Sequence, residues 1–484
     1  MELRFLGGAR EVGRSAILID ESLLLDYGLL TGTPPRYPVG KVGPDAVVVS
    51  HSHLDHVGAV PALLSGTDRP DIHWTPPTAD LARTLARDTL KLHGGTPQCP
   101  FAETEVARMS QHSERHGYRE PFEVCASGTD ASRSSGHGPR DKGYEVTFFN
   151  AGHIPGSAHV LVDDGDTRLL YTGDFHIDEP DEGDVSDGDG GEDGGAERAA
   201  GGTGHRYGDD RSRRRDRTPD YVRKTAGLGD IESVRGQRLV AGSTARPDAD
   251  IVLVESTYSD LTHDRRAAIE RRFAESVRTT IWEGGTVVIP AFAIGRTQEL
   301  MLVCDAYDVP CYVDGMGTEV TTQVRRYPEY LRDADAMKRA KSHARVVSGP
   351  DGQRKRIAAD NTAIITTSGM LSGGPAMTYV PEIRANPVNK ICLTGYQVEG
   401  TPGRELVETG RAEIAGGVIP VSARVEQYDF SAHADREGLL GFLDSYTESK
   451  VLVNHGDRCE VFAAELSERG YEASAPAIGD TVVV

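Results

Sequence analysis

The chain lacks any run that is long and apolar enough to cross a membrane. No stretch of its 484 residues approaches the roughly 20 apolar residues that a spanning helix needs. Its start, MELRFLGGAREVG, has neither the basic beginning nor the long apolar middle of a signal peptide. We therefore expect a cytoplasmic protein with no membrane partner. At this length, two domains, or one domain inserted in another, are expected.

Cysteine is scarce and scattered. The six cysteines form no CxxC pair, which argues against both a disulfide framework and a zinc site built from thiolates. Any metal must then be held by histidine and carboxylate side chains.

Positive charge is also in short supply, because 53 Lys and Arg residues face 74 Asp and Glu residues and leave a net charge of -21. Such a charge repels nucleic acid at long range in dilute salt. However, the bias toward Asp, Glu, Gly, Ala and Thr, with Arg far outnumbering Lys, resembles that of proteins from salt-accumulating cytoplasms, where molar salt shortens the Debye length to about 3 Å. For a halophilic protein the acidic surface says little about the active site.

Two segments lack the residues that build a core. Residues 125–145 are typical of a hairpin or loop insertion. Residues from about 178 to 248 include DEPDEGDVSDGDGGEDGG and RSRRRDR, and cannot bury enough apolar area to offset the entropy of ordering. We expect much of this second segment to be a flexible, solvated acidic loop rather than a regulatory element. Contact between RSRRRDR and RNA is the alternative.

The remaining chain changes its pattern twice. The opening third alternates β-type runs with turns, and helical periodicity at 79–92 and 103–109 indicates a layered α/β or α+β domain. From 251 to about 410, strands end in glycine-bearing loops that lead into helices, the rhythm of a parallel sheet. No GxxxxGK[ST] or GxGxxG occurs, so a nucleotide-cofactor role is weakly supported. Later β-type runs predict a return to the first domain's sheet around an inserted domain.

The segment HSHLDH, directly after the apolar run DAVVVS, concentrates ligand-type side chains. His51 and His53 lie two apart on an extended segment and point the same way, and Asp55 and His56 follow as the backbone turns toward a helix. Imidazole with carboxylate suits zinc, and also manganese or iron. The alternative is a polar surface loop.

Further ligand-type residues follow other β-type runs. They are His153 in NAGHIPGSAH, Asp174 in YTGDFH and His455 in VNHGD. Each alone is typical of an ordinary turn. Together with HSHLDH they can complete two ligand sets.

These motifs resemble those of the metallo-β-lactamase superfamily. HxHxDH and the later histidines match its dinuclear zinc site, and ESTYSD, PAFAIGRTQEL, TSGMLSGGP, GYQVEGTPGR and FSAHAD look like those of its β-CASP ribonuclease branch. That branch includes the endonuclease subunit of the cleavage and polyadenylation specificity factor, with its archaeal homologues, and ribonuclease J. The resemblance covers nearly the whole chain except the two insertions, and we expect no KH domains before MELRFLGG.

The resemblance implies roles for individual residues. It places one zinc on His51, His53 and His153, a second on Asp55, His56 and His455, and Asp174 between them. Asp26 in LLLDYG would support the metal loop. Glu255 and His433 match two β-CASP motifs, and the histidine at 455 favours RNA over DNA. The cofactors implied are two Zn²⁺, with Mn²⁺ as the alternative.

The implied fold is α/β (α+β), an αββα sandwich with an inserted Rossmann-like β-CASP domain. We expect residues 1–255 to begin the sandwich, residues 256–422 to form the β-CASP domain, and residues 423–484 to complete the sandwich.

The implied activity is hydrolysis of single-stranded RNA in 3′-end processing or turnover, by an endonuclease, a 5′-to-3′ exonuclease or both. Our hypothesis is that His433 protonates the leaving oxygen, that Glu255 holds His433, and that Asp55 is required for cleavage. Products would carry 5′-phosphate and 3′-hydroxyl ends. Phosphate contacts are expected at strand-to-helix turns, from Arg296 and from Ser368, Gly369, Ser372 and Gly373.

Two other functions stay open. One is a small-molecule metallohydrolase of the lactonase or thioesterase type, and the other is a non-catalytic RNA-binding scaffold. The family also admits a homodimer and partners from RNA processing or transcription termination.

Overall fold

The computed structural model describes residues 1–31, 34–125, 143–179, 234–349, 351–414 and 416–484. Met1–Asp178 and Val234–Val484 form one compact unit. The run RSRRRDR, most of the acidic segment and most of the 125–145 insertion lie outside the described residues. In the part of the chain that is described, no helix combines the length and apolar character needed to cross a membrane.

The described residues contain 22 β-strands. In chain order they are β1 (Glu2–Gly7), β2 (Ala16–Ile19), β3 (Leu23–Leu25), β4 (Ala46–Val48), β5 (Asp71–Trp74), β6 (Ser113–Arg115), β7 (Phe122–Cys125), β8 (Gly143–Asn150), β9 (Ala158–Asp163), β10 (Arg168–Tyr171), β11 (Ile251–Glu255), β12 (Val287–Pro290), β13 (Cys311–Asp314), β14 (Arg345–Val346), β15 (Ala363–Thr366), β16 (Lys390–Leu393), β17 (Arg411–Ile414), β18 (Gly417–Pro420), β19 (Arg424–Gln427), β20 (Lys450–Asn454), β21 (Glu472–Ser474) and β22 (Thr481–Val483).

Twelve α-helices lie in the same residues. They are α1 (Leu54–Val57), α2 (Pro76–His93), α3 (Glu103–Arg108), α4 (Arg266–Trp282), α5 (Arg296–Ala306), α6 (Gly317–Val324), α7 (Ala334–His343), α8 (Asp351–Ala358), α9 (Ala376–Ile383), α10 (Pro402–Thr409), α11 (Arg436–Leu443) and α12 (Cys459–Glu468), with 3₁₀ turns at Val60–Leu64, Pro328–Tyr330 and Asp444–Tyr446. The two predicted helical segments, 79–92 and 103–109, correspond to α2 and α3.

Two seven-stranded sheets form the first part of the fold. The first has the order β22-β1-β2-β3-β4-β5-β6 and is parallel from β3 to β6. The second has the order β21-β20-β11-β10-β9-β8-β7. In the second sheet β10, β11 and β20 run parallel, and β8 has the same direction because it and β10 are both antiparallel to β9. Four strands therefore end at one edge of this sheet.

The two sheets pack face to face between helices. Phe5 of the first sheet and Val160 of the second belong to one core cluster. On the other face of the first sheet lies α2, through Leu81, and on the other face of the second lie α11 and α12, through Phe442 and Phe462. The predicted αββα sandwich is confirmed.

A third sheet of six strands is parallel throughout. Its order is β14-β13-β15-β12-β16-β19, and β12, β15 and β16 are buried along their whole length. Continuous burial is typical of a parallel sheet covered on both faces. The sheet is Rossmann-like in this respect, although β15 lies between β12 and β13, whereas the first two strands are neighbours in the dinucleotide-binding order.

The third sheet is inserted between two neighbouring strands of the sandwich. The chain leaves the second sheet at Glu255, the last residue of β11, and returns at Lys450 in β20, which pairs with β11 in parallel register. β20 and β22 then complete the two sheets of the sandwich, as the sequence predicts. The domain boundaries after residues 255 and 422 stay predictions.

The expectation of flexibility over residues 178–248 is wrong at its C-terminal end. Gln237, Leu239 and Val240 are 1–3% exposed and pack within the structure. Hydrogen bonds hold this stretch, because Arg238 N and Leu239 N both donate to the carboxylate of Glu299. The composition of residues 178–248 as a whole therefore does not indicate this short segment, which is held through its backbone.

Candidate metal centre

HSHLDH leaves the first sheet directly after β4 and turns into α1. Extended backbone at His53 changes to helix at Leu54, so the side chains of Asp55 and His56 follow the two earlier histidines into one place. The ring centroid of His51 lies 5.0 Å from that of His53 and 4.0 Å from that of His56. The predicted convergence of this loop is present.

The other predicted metal ligands, and Glu255 of the predicted catalytic pair, come from the strand ends of the second sheet. His153 follows β8, Asp174 follows β10, Glu255 ends β11 and His455 follows β20. Because these strands all end at one edge, the side chains meet the HSHLDH loop of the facing sheet. All the residues predicted to hold metal are brought together, and their ligand atoms form two groups, His51, His53, His153 and Asp174, and Asp55, His56, Asp174 and His455.

Asp174 belongs to both groups through different oxygens. Its Oδ2 lies 3.5 Å from His51 Nε2 and 3.8 Å from His153 Nε2. Its Oδ1 lies 3.3 Å from His56 Nε2 and 3.5 Å from His455 Nε2. A carboxylate with each oxygen facing a separate set of imidazoles has the geometry to bridge two cations.

Hydrogen bonds on the outer ring nitrogens orient three of the histidines. His56 Nδ1 donates to Asp26 Oδ2 over 2.7 Å, and His153 Nδ1 donates to Ala432 O over 2.8 Å. His51 Nδ1 lies 3.1 Å from Ser50 Oγ, which itself donates to Asp26. Such bonds occupy the outer nitrogen and turn Nε2 toward the centre, the orientation that metal-binding histidines require.

Four inward-facing atoms of the centre have no hydrogen-bond partner among the described residues, whereas His153 Nε2 lies 3.0 Å from His53 Nδ1. The four are His51 Nε2, His56 Nε2, His455 Nε2 and Asp174 Oδ1, all buried. Buried polar atoms are normally paired, so a group of unpaired ligand atoms needs an explanation. Two metal ions fit this donor set, because the atoms converge within 4.8 Å of one another and are imidazole nitrogens and carboxylate oxygens.

The electrostatics of the centre favour cations. Burial holds the pKa of His51 and of His153 well below its usual value, so both imidazoles are neutral, the form that binds metal. Burial also lowers the pKa of His56, but the carboxylates of Asp174 and Asp26 outweigh it and hold that pKa well above its usual value. The negative charge that attracts a proton to His56 attracts a metal ion equally.

His433 and Glu255 form a pair beside this centre. His433 Nδ1 donates to Glu255 Oε1 over 3.0 Å, and Glu255 Oε1 also accepts from Phe175 N over 3.0 Å. Nε2 of His433 lies 4.0 Å from Asp174 Oδ2, and its side chain is 19% exposed. Burial lowers the pKa of His433, but the carboxylates of Glu255 and Asp174 raise it by more than burial lowers it. The resulting pKa is about 9. The imidazole is thus held as a proton donor that solvent can reach.

The inserted sheet meets the centre through the loop between β12 and α5. A Cβ added to Gly295 would lie 2.7 Å from Cγ2 of Ile154, the residue after His153. Arg296, the first residue of α5, donates to Thr394 O, and its charge acts on Tyr258. The ring of Tyr258 lies 5.7 Å from that of His433, which places Arg296 in the surroundings of the Glu255 and His433 pair.

The loop after β15 carries the other expected phosphate contacts. A Cβ on Gly369 would lie 3.1 Å from Phe292 N, so this loop packs on the β12–α5 loop. Ser368 Oγ accepts from Ser372 N over 3.0 Å, and the space beside Gly373 is open. These residues lie at the carboxyl edge of the third sheet, and their contact with phosphate stays a prediction.

Comparison with known proteins identifies the family. Residues 10–202 match the metallo-beta-lactamase superfamily, residues 297–406 the Beta-Casp domain, and residues 418–476 the Zn-dependent metallo-hydrolase RNA specificity domain. The chain is 30% identical to the Probable RNase MJ4 of Methanocaldococcus jannaschii over 499 residues, which cover 100% of both proteins. The chain belongs to the β-CASP family of metallo-β-lactamase hydrolases.

Other relatives of this β-CASP protein carry related names. It is 31% identical to the RNase aCSPSF2 of Saccharolobus solfataricus, over 94% of this chain and 79% of that protein. It is 29% identical to the transcription termination factor FttA of Methanocaldococcus jannaschii, over 96% of this chain and 68% of that protein. A crystal structure of a protein of unknown function from Enterococcus faecalis shares the fold, with a TM-score of 0.54, 10% identity and coverage of 100% and 99%.

Several residues around the β-CASP histidine were missed by sequence reasoning. His263 Nδ1 donates to Asp429 Oδ2 over 2.6 Å, and His176 Nδ1 donates to the carbonyl of His433 over 3.3 Å. Tyr258 stands three residues after Glu255 in ESTY, a spacing that offered a signal. The partners His263 and Asp429 are 166 positions apart, and no spacing predicts their contact.

Proposed function

We propose that this β-CASP protein is a two-zinc ribonuclease that hydrolyses single-stranded RNA to 5′-phosphate and 3′-hydroxyl ends. The observation that carries the proposal is the hydrogen-bonded pair of His433 and Glu255 beside Asp174, the carboxylate common to both ligand groups. The metal ligands alone would suit a small-molecule hydrolase of this superfamily. An additional imidazole, held by a carboxylate at the domain junction, suits a phosphodiester, because its poor leaving group needs a proton.

Two bound divalent ions would supply a water of near-neutral pKa and neutralise charge on the phosphodiester. The chain supplies the rest. His433 Nε2 faces the centre and can give a proton to the departing ribose oxygen, while Glu255 holds Nδ1 and keeps the ring oriented. Asp55, with Oδ2 3.6 Å from His455 Nε2, belongs to the second ligand group and is required for cleavage.

Zinc is the metal we propose, with manganese as the alternative. Imidazole nitrogens outnumber carboxylates in the two groups, a balance that favours zinc over the oxygen-preferring magnesium and calcium. The description of the family model over residues 418–476 also names a Zn-dependent metallo-hydrolase.

RNA is the proposed substrate for two reasons. The model matched at residues 418–476 describes an RNA specificity domain, and relatives that align along most of this chain are named RNases. Relatives named as transcription termination factors support a role in forming transcript 3′ ends, with transcription or RNA-processing partners. Cleavage can proceed from within the strand, from the 5′ end, or both.

Two exposed aromatic side chains offer a place for the bases. Phe292 is 42% exposed in the loop after β12, and Tyr396 is 51% exposed in the loop after β16. β12 and β16 are neighbours in parallel register, so both loops lie at the same edge, beside Arg296. Aromatic faces stack on any base, and the guanidinium attracts the phosphates between bases.

The test is cleavage of defined RNAs by zinc-reconstituted protein in molar salt. A circular single-stranded RNA reports internal cleavage, and linear RNAs with 5′-triphosphate or 5′-monophosphate ends report entry from the 5′ end. We expect products with 5′-phosphate and 3′-hydroxyl ends. Hydrolysis of a small ester or lactone with none of RNA would instead favour the small-molecule hydrolase. RNA binding without any cleavage by metal-loaded protein would favour the scaffold.

A further inference from the structure

A short buried segment joins the loop that carries His153 to the inserted domain. We call residues 236–243 the strap. Gln237 Nε2 donates to Gly152 O and, over 2.9 Å, to His153 O. The strap also packs so closely on Gly152 that an added Cβ would lie 2.7 Å from Ser243 N. The backbone on both sides of the His153 Cα is therefore held by the strap.

The other side of the strap is fastened to the inserted domain. Arg238 Nη2 donates to Glu270 Oε2 in α4 over 2.7 Å. Arg238 N and Leu239 N donate to the two oxygens of Glu299 in α5, over 2.9 and 2.8 Å. Leu239 O accepts from Arg332 N over 2.9 Å.

The strap connections are buried and charged. Glu270 and Glu299 are 1% and 2% exposed, and Glu299 also accepts from Arg266 over 2.6 Å. Charged hydrogen bonds in such a setting are stronger than those on a surface, and breaking one leaves a buried group unpaired. The strap is therefore fastened to α4 and α5 by bonds that are costly to break.

We propose that the strap sets the position of His153 in the metal centre, that Gln237 is the positioning residue, and that the setting depends on anchorage to the inserted domain. The inference rests on the proposed metal centre. His153 belongs to one ligand group only, and among the described residues no hydrogen bond joins the strap to Asp55, His56 or His455 of the other group. The strap thus acts on one of the two ions, and it links occupancy of that ion to docking of the inserted domain.

The test is zinc binding without RNA, by competition with a chromophoric chelator on the full chain. Gln237→Met keeps the length of the side chain and removes its donor. We expect the affinity for one of the two ions to fall about 10- to 100-fold, which is the effect typical of losing a partner that orients a ligand. We expect the affinity for the other ion to be unchanged. Arg238→Met removes the hydrogen bonds from the Arg238 side chain to Glu270. We expect it to lower the affinity for the same ion.

Tyr446→Phe is the matched control. It removes one hydrogen bond to Pro247 O, further along the same connection and away from His153. Folding of each variant is checked by circular dichroism. Two unchanged affinities in folded Gln237→Met, or equal loss of both, would overturn the positioning role. If Gln237→Met lowers the affinity for one ion and Arg238→Met does not, the position of His153 does not depend on the anchorage of the strap to the inserted domain. Wild-type protein that binds no zinc would contradict the metal centre itself.

Discussion

At the residue scale, buried carboxylates orient imidazoles of the metal centre and of the pair beside it. Asp26 is fully buried and accepts hydrogen bonds from Ser50 N, Ser50 Oγ, Tyr171 Oη and His56 Nδ1, all within 2.7–2.8 Å. Glu255 plays the equivalent part for His433. Asp26 thus orients His56, which faces Asp174 Oδ1, and Glu255 orients His433, the proposed proton donor, which faces Asp174 Oδ2.

Replacing His433 by alanine removes the proposed acid and leaves the ligand groups intact. We expect kcat to fall by about 10²- to 10⁴-fold, the usual contribution of general acid catalysis, with zinc content and RNA affinity unchanged. Single-turnover cleavage of RNA by purified protein measures the effect. His343→Ala is the control. His343 is the last residue of α7, away from the centre, and its Nε2 donates to Val309 O. Wild-type turnover by His433→Ala would refute the acid role.

Replacing Asp26 by asparagine tests the support of the metal loop. The donors around residue 26 bond to two oxygens of the aspartate, whereas an asparagine offers them only one. The neutral amide also no longer attracts the Nδ1 proton of His56. We expect about 10- to 100-fold weaker binding of the ion held by His56. Chelator competition measures this affinity, with Asp248→Asn, on the surface, as the control. Equal affinities in the two variants would show that Asp26 does not tune the centre.

At the element scale, the site exists because strands of the two sheets end at one edge. β4, β8, β10, β11 and β20 deliver their next residues to the same place, and the carboxyl edge of the third sheet meets them through the β12–α5 loop. Side chains at or directly after rigid strands are placed more precisely than side chains on long loops.

The exposed aromatics on two of these loops carry a prediction for RNA binding. Phe292→Ala and Tyr396→Ala should each weaken single-stranded RNA binding by about 1–3 kcal/mol, the value of one stacked base. The measurement is the RNA affinity of each variant combined with His433→Ala, in metal-loaded protein, because cleavage by His433→Ala is expected to be about 10²- to 10⁴-fold slower. Val418→Ala, at an equally exposed apolar side chain on β18, is the control. RNA affinity that all three variants retain would show that the bases do not stack there.

Sequence reasoning reached much of this arrangement, for identifiable reasons. HSHLDH could be predicted because its ligands are consecutive and follow an apolar run. His153, Asp174 and His455 carried a weaker signal, since each looks like a turn residue until strand direction brings them together. The contact between His433 and Glu255 spans 178 positions and was expected only from family resemblance.

The rest depended on tertiary contacts that no local pattern reports. The strap lies within residues 178–248, and the backbone donors of Arg238 and Leu239 that fasten it bond to the buried carboxylate of Glu299. Likewise, the strand order of the third sheet, with β15 between β12 and β13, does not follow from the alternation of strands and helices. The expected homodimer stays a prediction.

At the scale of the whole molecule, the net charge of -21 predicts dependence on salt. Self-repulsion opposes the compact state and is screened as the Debye length falls from about 10 Å at 0.1 M to about 3 Å at 1 M. We expect the free energy of unfolding to rise with KCl over this range, as measured by chemical denaturation with urea. A neutral osmolyte, which strengthens burial without screening charge, is the control. Stability that responds equally to both would contradict a charge effect.

We propose that RNA is cleaved at one centre whose two ligand groups share Asp174 and would hold two ions. The most direct measurement is the initial rate of cleavage of circular and linear single-stranded RNA during titration of metal-stripped protein with zinc, with bound zinc counted at each step. We expect no cleavage without metal and a rate that reaches its plateau at two ions per chain. Cleavage by metal-free protein, or a plateau at one ion, would contradict this proposal.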